Sequence, residues 1–587
     1  MVNNKLYKKQ TSNKYDRTVV FKVLLILIGI ILVARLFYVQ IIRHDHYTAL
    51  ALSEHMKKFE IPATRGIVKL QDGTSETPIV LNEDRFDVYA DPKYIDNADK
   101  TTDSLIGVLG GNKDDLRKKL SSDSRYVVLA KKLTKDQVER VKRLDLSGVD
   151  AKSISTRTYP QGSLASQVLG FVNDDNSGQY GIEQYFNKDL SGQAGVQKAI
   201  TDIKGIPLAV KSDNILQPAK PGEDITLTID IGMQRMVEDV LKTGVESRQA
   251  KKGSAIIMDI NTGAIKAMAN YPTYDPGQYN KVTDNSVFSN IATSGSWEPG
   301  SVMKPLLMGA AFTEGTLNPS STYQDAGFVQ VADRKITNSL PWGARTMSMQ
   351  DIISKSLNTG AVFMLKSLGE SNDVNEKART KWYKYMTENY HFGQKSGVEI
   401  AGEADGIIAG PNEGSAVDVR YANTAFGQGV TVTPIQILAA YASLFNGGTF
   451  YKPTLLASTG SGADKKTNEP KVLKTNVVSS QASAQVREIT KVALEVNNPG
   501  AKRAGYNLGA KSGTAQIAGD DGSYQKDDYN GVYIGYIGGD MPQYIMLVRL
   551  DEPKTSASGF ASTEASKVWN EISNKLIDNF AVKPIKS

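Results

Sequence analysis

The chain has 587 residues, enough for two or three domains with separate cores, and its formal charge of +6 is small for that length, so no nucleic-acid partner is expected. Cysteine is absent, which excludes thiol nucleophiles, disulfides and cysteine-ligated metals. Three of the four histidines, His44, His46 and His55, crowd beside the N-terminal apolar segment, so a Ser-His-Asp enzyme would rest on His391, which is expected to pack rather than catalyse.

Residues 1–22 are polar and carry Lys5, Lys8, Lys9, Lys14, Arg17 and Lys22 against one acid, Asp16. Residues 23–34 are uninterrupted Val, Leu, Ile, Gly and Ala, and beyond Arg35 the chain stays apolar to Ile42, about the twenty residues a spanning helix needs. Arg35 can snorkel to the interface, with Tyr38 as an aromatic anchor. The basic flank predicts a cytoplasmic N-terminus, with everything after about residue 43 outside. A cleaved signal peptide is the rival reading, because Ala49-Leu-Ala51 resembles a cleavage site. The long apolar span and the polar residues 43–46 favour the anchor.

From 47 to 220, strand-like pieces at 78–82 and 126–130 mix with an amphipathic helix at 134–144, the pattern of a folded spacer or interaction module. Gly178 and Gly181 ahead of Glu183 imitate a phosphate loop, but no Walker lysine follows. A Pro/Lys/Gly cluster at 218–222 marks a boundary. A strand is expected at 224–230, a helix at 234–249, and a hairpin of two apolar runs, 253–260 and 264–270, joined by Asn261-Thr-Gly263. Residues 301–445 read as mostly helical, most clearly at 310–312, 349–357 and Pro434–Phe445. Residues 458–476 read as an exposed loop and 483–496 as a helix. Three strands follow at 510–518, 531–537 and 543–550, the last two paired across Gly538-Gly-Asp-Met-Pro542, and a helix closes at 563–580. Two early and three late strands around a helical block predict one antiparallel sheet faced by helices, in a domain of about 360 residues.

At the head of that block, Trp297-Glu-Pro-Gly-Ser301-Val-Met-Lys304 sets a serine and a lysine three apart, on one face of a helix. A lysine partly desolvated there can be neutral and act as a base toward the hydroxyl, and the helix N-terminus favours negative charge developing beside Ser301. Any long chain holds a Ser-x-x-Lys by accident, and a second stands at Ser523 and Lys526. Order decides between them. Ser356-Leu-Asn358 follows a helical pattern, and Lys511-Ser-Gly-Thr514 sits on the first late strand, the succession found in penicillin-recognising acyl transferases. The decoys Lys242-Thr-Gly244 and Ser212-Asp-Asn214 fall upstream of the nucleophile, and nothing completes a set after Lys526.

With these motifs the chain resembles the class B penicillin-binding proteins, the single-span D,D-transpeptidases of cell-wall synthesis. The resemblance takes in Tyr271-Pro-Thr-Tyr-Asp-Pro276, Glu298-Pro-Gly300, Phe426-Gly-Gln-Gly429 and Thr433-Pro-Ile-Gln436. It extends to Arg65-Gly66, Arg157-Thr-Tyr-Pro160 and Gly181-Ile-Glu183, and to Ala34-Arg-Leu-Phe-Tyr38, so it covers nearly the whole chain. Two departures stand out: Ser512 occupies a place where many relatives have threonine, and Gly559-Phe-Ala-Ser-Thr563 lacks the usual Gly-Gly and Ala-Pro pattern. The implied architecture is a multi-domain α+β protein. It has a short basic cytoplasmic tail (1–22), a transmembrane anchor (23–42) and a mixed α+β pedestal resembling a dimerisation domain (43–220). A transpeptidase domain (221–587) follows, with a five-stranded antiparallel sheet flanked by helices.

The resemblance also implies the chemistry. Ser301 attacks the penultimate carbonyl of a peptidoglycan stem peptide ending in D-Ala-D-Ala, and Lys304 takes its proton. Ser356 relays a proton to the leaving amine, and Asn358 orients the acyl-chain amide. Lys511 and the hydroxyls of Ser512 and Thr514 hold the carboxylate, while Gly513 lets the strand approach the ligand. The backbone N–H groups of Ser301 and Thr514 form the oxyanion hole. An amine from a neighbouring stem peptide resolves the acyl-enzyme, and β-lactams acylate the same serine. No metal or organic cofactor is implied. A membrane glycan polymerase of the shape, elongation, division and sporulation family is the implied partner, at the bacterial cell membrane. The rival readings are a D,D-carboxypeptidase or β-lactamase-like hydrolase and, outside catalysis, a wall-assembly scaffold or β-lactam receptor.

Overall fold

A run of apolar residues with no polar face has no soluble core to enter, and here it forms one helix, Arg17–Phe37, continued by a π-turn over Tyr38–Ile42. Thr18–Ile42 is long and apolar enough to cross a membrane. The helix begins before residue 23, because helical hydrogen bonding carries on through the polar flank. The Arg43 Nε–H donates to the Tyr38 hydroxyl at 3.0 Å, and Arg35 lies 5.6 Å from the same ring's centre. The computed structural model describes residues 17–47, 56–200, 215–518, 524–555 and 559–586. Lys5, Lys8, Lys9, Lys14, Asp16, the Ala49-Leu-Ala51 stretch, Ser212-Asp-Asn214 and Ser523 lie outside them.

The chain divides into two compact units, Met1–Ala63 with Gly192–Pro221, and Thr64–Ser191 with Gly222–Ser587. In the first, Met56–Ile61 pairs antiparallel with Gly195–Ile200, which also pairs with Ile215–Gln217.

In the second unit, the long strand Ser75–Ala90 joins two pairings. Its first half lies against Val68–Asp72, and its second half against Val149–Thr158 and Val127–Leu133. Helix Lys135–Lys142 starts where expected, on a capping box between Thr134 and Gln137, and packs Val138 and Val141 against Val88, Leu105 and Leu120. Glu183 is fully buried between two guanidinium groups. Arg65 donates to its Oε2 from Nε (2.8 Å) and Nη2 (2.6 Å), and Arg157 Nε to its Oε1 (2.7 Å). A charge buried this deeply persists only with such partners. The glycines near it clear backbone for this packing and build no phosphate loop: a Cβ on Gly178 would fall 1.8 Å from the Glu183 carbonyl oxygen.

Strand Ile225–Asp230 lies in the same sheet as Val68–Asp72, which it meets in parallel, and it meets Leu456–Thr459 antiparallel. The stretch 458–476, read from its polar composition as a loop, therefore contains strand: the end of Leu456–Thr459, then Lys466–Thr467 and Val472–Lys474. Such two- to four-residue strands are held by backbone pairing, which polar composition does not reveal.

The C-terminal part of the chain is built on a five-stranded antiparallel sheet ordered Ile265–Tyr271, Lys252–Asp259, Pro542–Asp551, Tyr524–Gly538, Asn507–Ala518. Side chains alternate across it. Ala255 and Ile257 face helices Ile231–Ser247 and Ala561–Asn579, packed around the fully buried Trp569. Ile256 and Met258 face the core that holds helices Met303–Thr313 and Pro434–Phe445. The region 301–445, expected to be mostly helical, also holds two ribbons, Thr322–Asp325 with Arg345–Ser348 and Phe328–Val331 with Arg334–Thr337.

Candidate active site

A Pro-Gly turn delivers the nucleophile candidate. Gly300 has φ +61°, and Gly300–Val302 form a single 3-10 turn ahead of helix Met303–Thr313. Gly300 N–H donates to Gly427 O at 3.0 Å, and a Cβ on Gly427 would fall 2.2 Å from Gly300 O, so two backbones touch where glycine alone fits. On the other side, a Cβ on Gly513 would lie 3.1 Å from Pro299 O and 3.0 Å from Val302 Cγ1. The missing side chain of Gly513 thus gives room to the turn that carries Ser301.

Lys304 follows one helical turn later and is 0% exposed. Its Nζ lies 3.0 Å from Ser301 Oγ and 3.2 Å from Ser356 Oγ, and it donates to Ser356 O (2.6 Å) and Asn358 Oδ1 (2.9 Å). Burial, then the neighbouring Lys511 charge, hold its pKa well below the ordinary 10.5. A neutral amine has two protons and one lone pair. The carbonyl of Ser356 and the amide oxygen of Asn358 can only accept, so they take the two protons and leave the lone pair for a hydroxyl.

Ser356 reaches the amine from the loop between helices Met349–Ser354 and Asn358–Leu368, with a left-handed backbone at φ +54° that is uncommon for serine. Its Oγ is 3.2 Å from Lys304 Nζ and 3.2 Å from Lys511 Nζ, and so bridges the two lysines. Lys511 is 3% exposed, donates to Ser512 O at 2.8 Å and stands 3.3 Å from Ser512 Oγ. Burial brings its pKa down to about 7. Asn358 is engaged at both ends, since Nδ2 donates to Thr337 O at 3.1 Å. One N–H remains for a ligand.

Ser301 opens onto two clefts that share Ser301, Ser339, Thr514 and Phe560. One, of about 620 Å³, is walled by Trp342, Val496, Ser512 and Tyr533. The other, of about 510 Å³, is walled by Glu298, Asn358, Gln428 and Tyr529. Thr514 Oγ1 donates to Ser562 Oγ at 3.0 Å. The sequence reading missed Ser339, Phe560 and Ser562. Phe560 and Ser562 sit in the 559–563 stretch, and no motif flags Ser339.

Tyr274 and Phe426 are buried, and Tyr274 packs on Phe171 and Phe288. The His391 ring lies 4.6 Å from the Phe450 ring, and burial, then Lys474, lower its pKa. Among the described residues no His/Asp/Glu cluster could hold a metal.

Residues 253–577 match the penicillin binding protein transpeptidase domain, and residues 60–227 the penicillin-binding protein dimerisation domain. The chain is 31% identical over 575 residues to stage V sporulation protein D of Bacillus subtilis, covering 96% of this chain and 85% of that relative. It is 25% identical over 566 residues to the peptidoglycan D,D-transpeptidase FtsI of Escherichia coli K12, covering 94% and 90%. Its fold is that of penicillin binding protein 2X from Streptococcus thermophilus, with a TM-score of 0.72 at 24% identity over 89% of this chain and 81% of that one. A serine, two buried lysines and a bridging hydroxyl thus sit in a chain that belongs to the class B penicillin-binding proteins.

Proposed function

We propose that the protein is a membrane-anchored peptidoglycan D,D-transpeptidase working through an acyl-enzyme on Ser301. One arrangement carries the reading: a fully buried lysine 3.0 Å from the serine hydroxyl, with Ser356 bridging it to a second buried lysine. Ser301 Oγ attacks the penultimate D-alanine carbonyl, and its proton passes to the Lys304 lone pair. Backbone N–H groups of Ser301 and Thr514 stabilise the oxyanion, a donor of this kind being worth about 2.7–4 kcal/mol. As the C–N bond breaks, Ser356 passes a proton from Lys304 to the leaving amine, and D-alanine departs. An amine from a neighbouring stem peptide then attacks the ester, gives up its proton along the same path, and frees Ser301.

Lys511, Ser512 and Thr514 hold the terminal carboxylate, whose negative charge favours the protonated form of Lys511. The spare Asn358 N–H orients the acyl-chain amide. In a β-lactam the broken C–N bond lies in a ring, so the leaving amine stays tethered and the ester persists.

The domain limits 1–22, 23–42, 43–220 and 221–587 accompany this reading. So does an orientation with the basic N-terminus in the cytoplasm and a pedestal and anchor bound to a membrane glycan polymerase of the shape, elongation, division and sporulation family. The test is the intact mass of the detergent-solubilised full chain after exposure to benzylpenicillin, beside Ser301→Ala. A stable adduct on the native protein alone is expected; no adduct on a folded native chain would refute the assignment. Release of D-alanine that rises with an added amine acceptor then separates transfer from hydrolysis.

A further inference from the structure

Asp325 has no part in the steps above, yet it is 2% exposed, at the end of the ribbon strand Thr322–Asp325. Its Oδ1 accepts from Gly327 N–H at 2.8 Å. Its Oδ2 accepts from Asn338 Nδ2 at 3.0 Å, Thr359 Oγ1 at 2.9 Å and the Tyr323 hydroxyl at 3.3 Å. Asn338 in turn accepts the Thr359 N–H on its Oδ1 at 3.1 Å. Thr359 is the residue after Asn358.

These contacts meet a need of helix Asn358–Leu368. The first N–H groups of a helix have no partner inside it, and Leu357, at the capping position, has no side chain able to accept them. Asn338 supplies the cap from another segment, and Asp325 fixes which way the Asn338 amide points: its NH2 faces the carboxylate, so its oxygen faces Thr359 N–H. The turn held in this way carries the oxygen to which Lys304 donates at 2.9 Å.

We propose that Asp325 is a positioning residue for acyl transfer: through Asn338 and Thr359 it sets the place of Asn358 and hence the direction of the Lys304 lone pair. The inference rests on the acylation reading above.

The test compares full-length Asp325→Asn, Thr359→Val and Thr359→Ser in detergent. Asparagine at 325 offers one acceptor atom where the carboxylate offers two, so the Gly327 side or the Asn338–Thr359 side loses its partner. Expected for Asp325→Asn and Thr359→Val is a fall of about tenfold to a hundredfold in the limiting rate of β-lactam acylation per titrated active site, with apparent affinity unchanged. Thr359→Ser keeps the hydroxyl and should keep the rate. The double variant Asp325→Asn/Thr359→Val should be no slower than its slower parent, because both remove one connection. Native rates in the two single variants, or multiplied losses in the double, would overturn the proposal. Hydrogen exchange over residues 356–361 reads the same positioning without substrate. Asp325→Asn should speed it, and unchanged exchange would also overturn the proposal. A native enzyme that no β-lactam acylates, with exchange responding as expected, would count against the acylation reading alone.

Discussion

Replacing Lys511 by methionine should make the protein more stable while destroying its activity. Burial lowers the Lys511 pKa from the ordinary 10.5 to about 7. At about 1.4 kcal/mol per pH unit that fall costs the folded state about 5 kcal/mol. The unfolded chain keeps the proton up to about pH 10.5, whereas the folded chain gives it up near 7. The penalty is therefore complete below about pH 7, and stability climbs as pH rises from there. Against it stand the contacts of Nζ with Ser512 O, Ser512 Oγ and Ser356 Oγ, which return about 1 kcal/mol each. Methionine removes both sides of the balance, so Lys511→Met should gain about 2 kcal/mol at neutral pH and lose β-lactam acylation. Thermal unfolding of the full chain in detergent, followed from about pH 6 to 9, reads the same difference as a slope. The native protein's unfolding temperature should rise more steeply than the variant's, Lys304 contributing to both. Parallel curves would mean that Lys511 keeps its proton in the folded enzyme, and the reasoning would fail.

Acylation itself should fall with unit slope on the acid side, because only neutral Lys304 can take the serine proton and its pKa lies below the ordinary value; a stopped-flow pH profile flat into acid would exclude that role. Glu183→Gln should destabilise the protein by about 3–5 kcal/mol by leaving the Arg65 and Arg157 guanidinium groups buried without their carboxylate. A denaturant midpoint equal to the native one would refute it. Gly427→Ala puts a Cβ 2.2 Å from Gly300 O at a residue with φ +79°. Displacing the nucleophile turn by about 1 Å should slow acylation about a hundredfold while circular dichroism stays native. A native rate would show that the turn is held elsewhere.

The sheet was legible because its strands announce themselves. Apolar runs at 253–260 and 264–270 flank Asn261-Thr-Gly263, and those at 531–537 and 543–550 flank a Gly-Gly turn. All four lie in paired strands, with Ser254 opposite Asn270 and Tyr533 opposite Val548. The Ser301–Lys304 contact was legible too, since a spacing of three closes within one helical turn. Three of the four oxygens around Lys304 Nζ belong to Ser356 and Asn358, 52 and 54 residues away. Motif order could mark those residues as partners, but not turn a carbonyl of Ser356 onto the amine. The ribbons of 322–348 escaped notice because their strands are four residues each and mostly exposed, three of them mainly polar, too short for an apolar alternation to betray them. Asp325 was invisible for the same reason, and the Thr514–Ser562 contact fell where the family pattern gave no guide.

What can vary in this site follows from what touches what. The nucleophile turn meets its two neighbours through main chain, at Gly300 against Thr514 O, Gly427 against Gly300 O and Gly513 against Pro299 O. Distances fixed by these approaches change little when a side chain on the cleft rim is exchanged, because apart from the Val302 methyl against Gly513 they are made by main chain. Ser512 can therefore replace threonine without moving Lys511, whose nearest acceptor is the Ser512 carbonyl at 2.8 Å. The stretch with Phe560 and Ser562 can likewise depart from its relatives, since it bounds both clefts but supplies none of the contacts around Lys304. A methyl group on one of those glycines has no such latitude. A single added methyl there is therefore expected to cost far more than its size suggests, and the rim is where substrate choice can change at least cost to the chemistry.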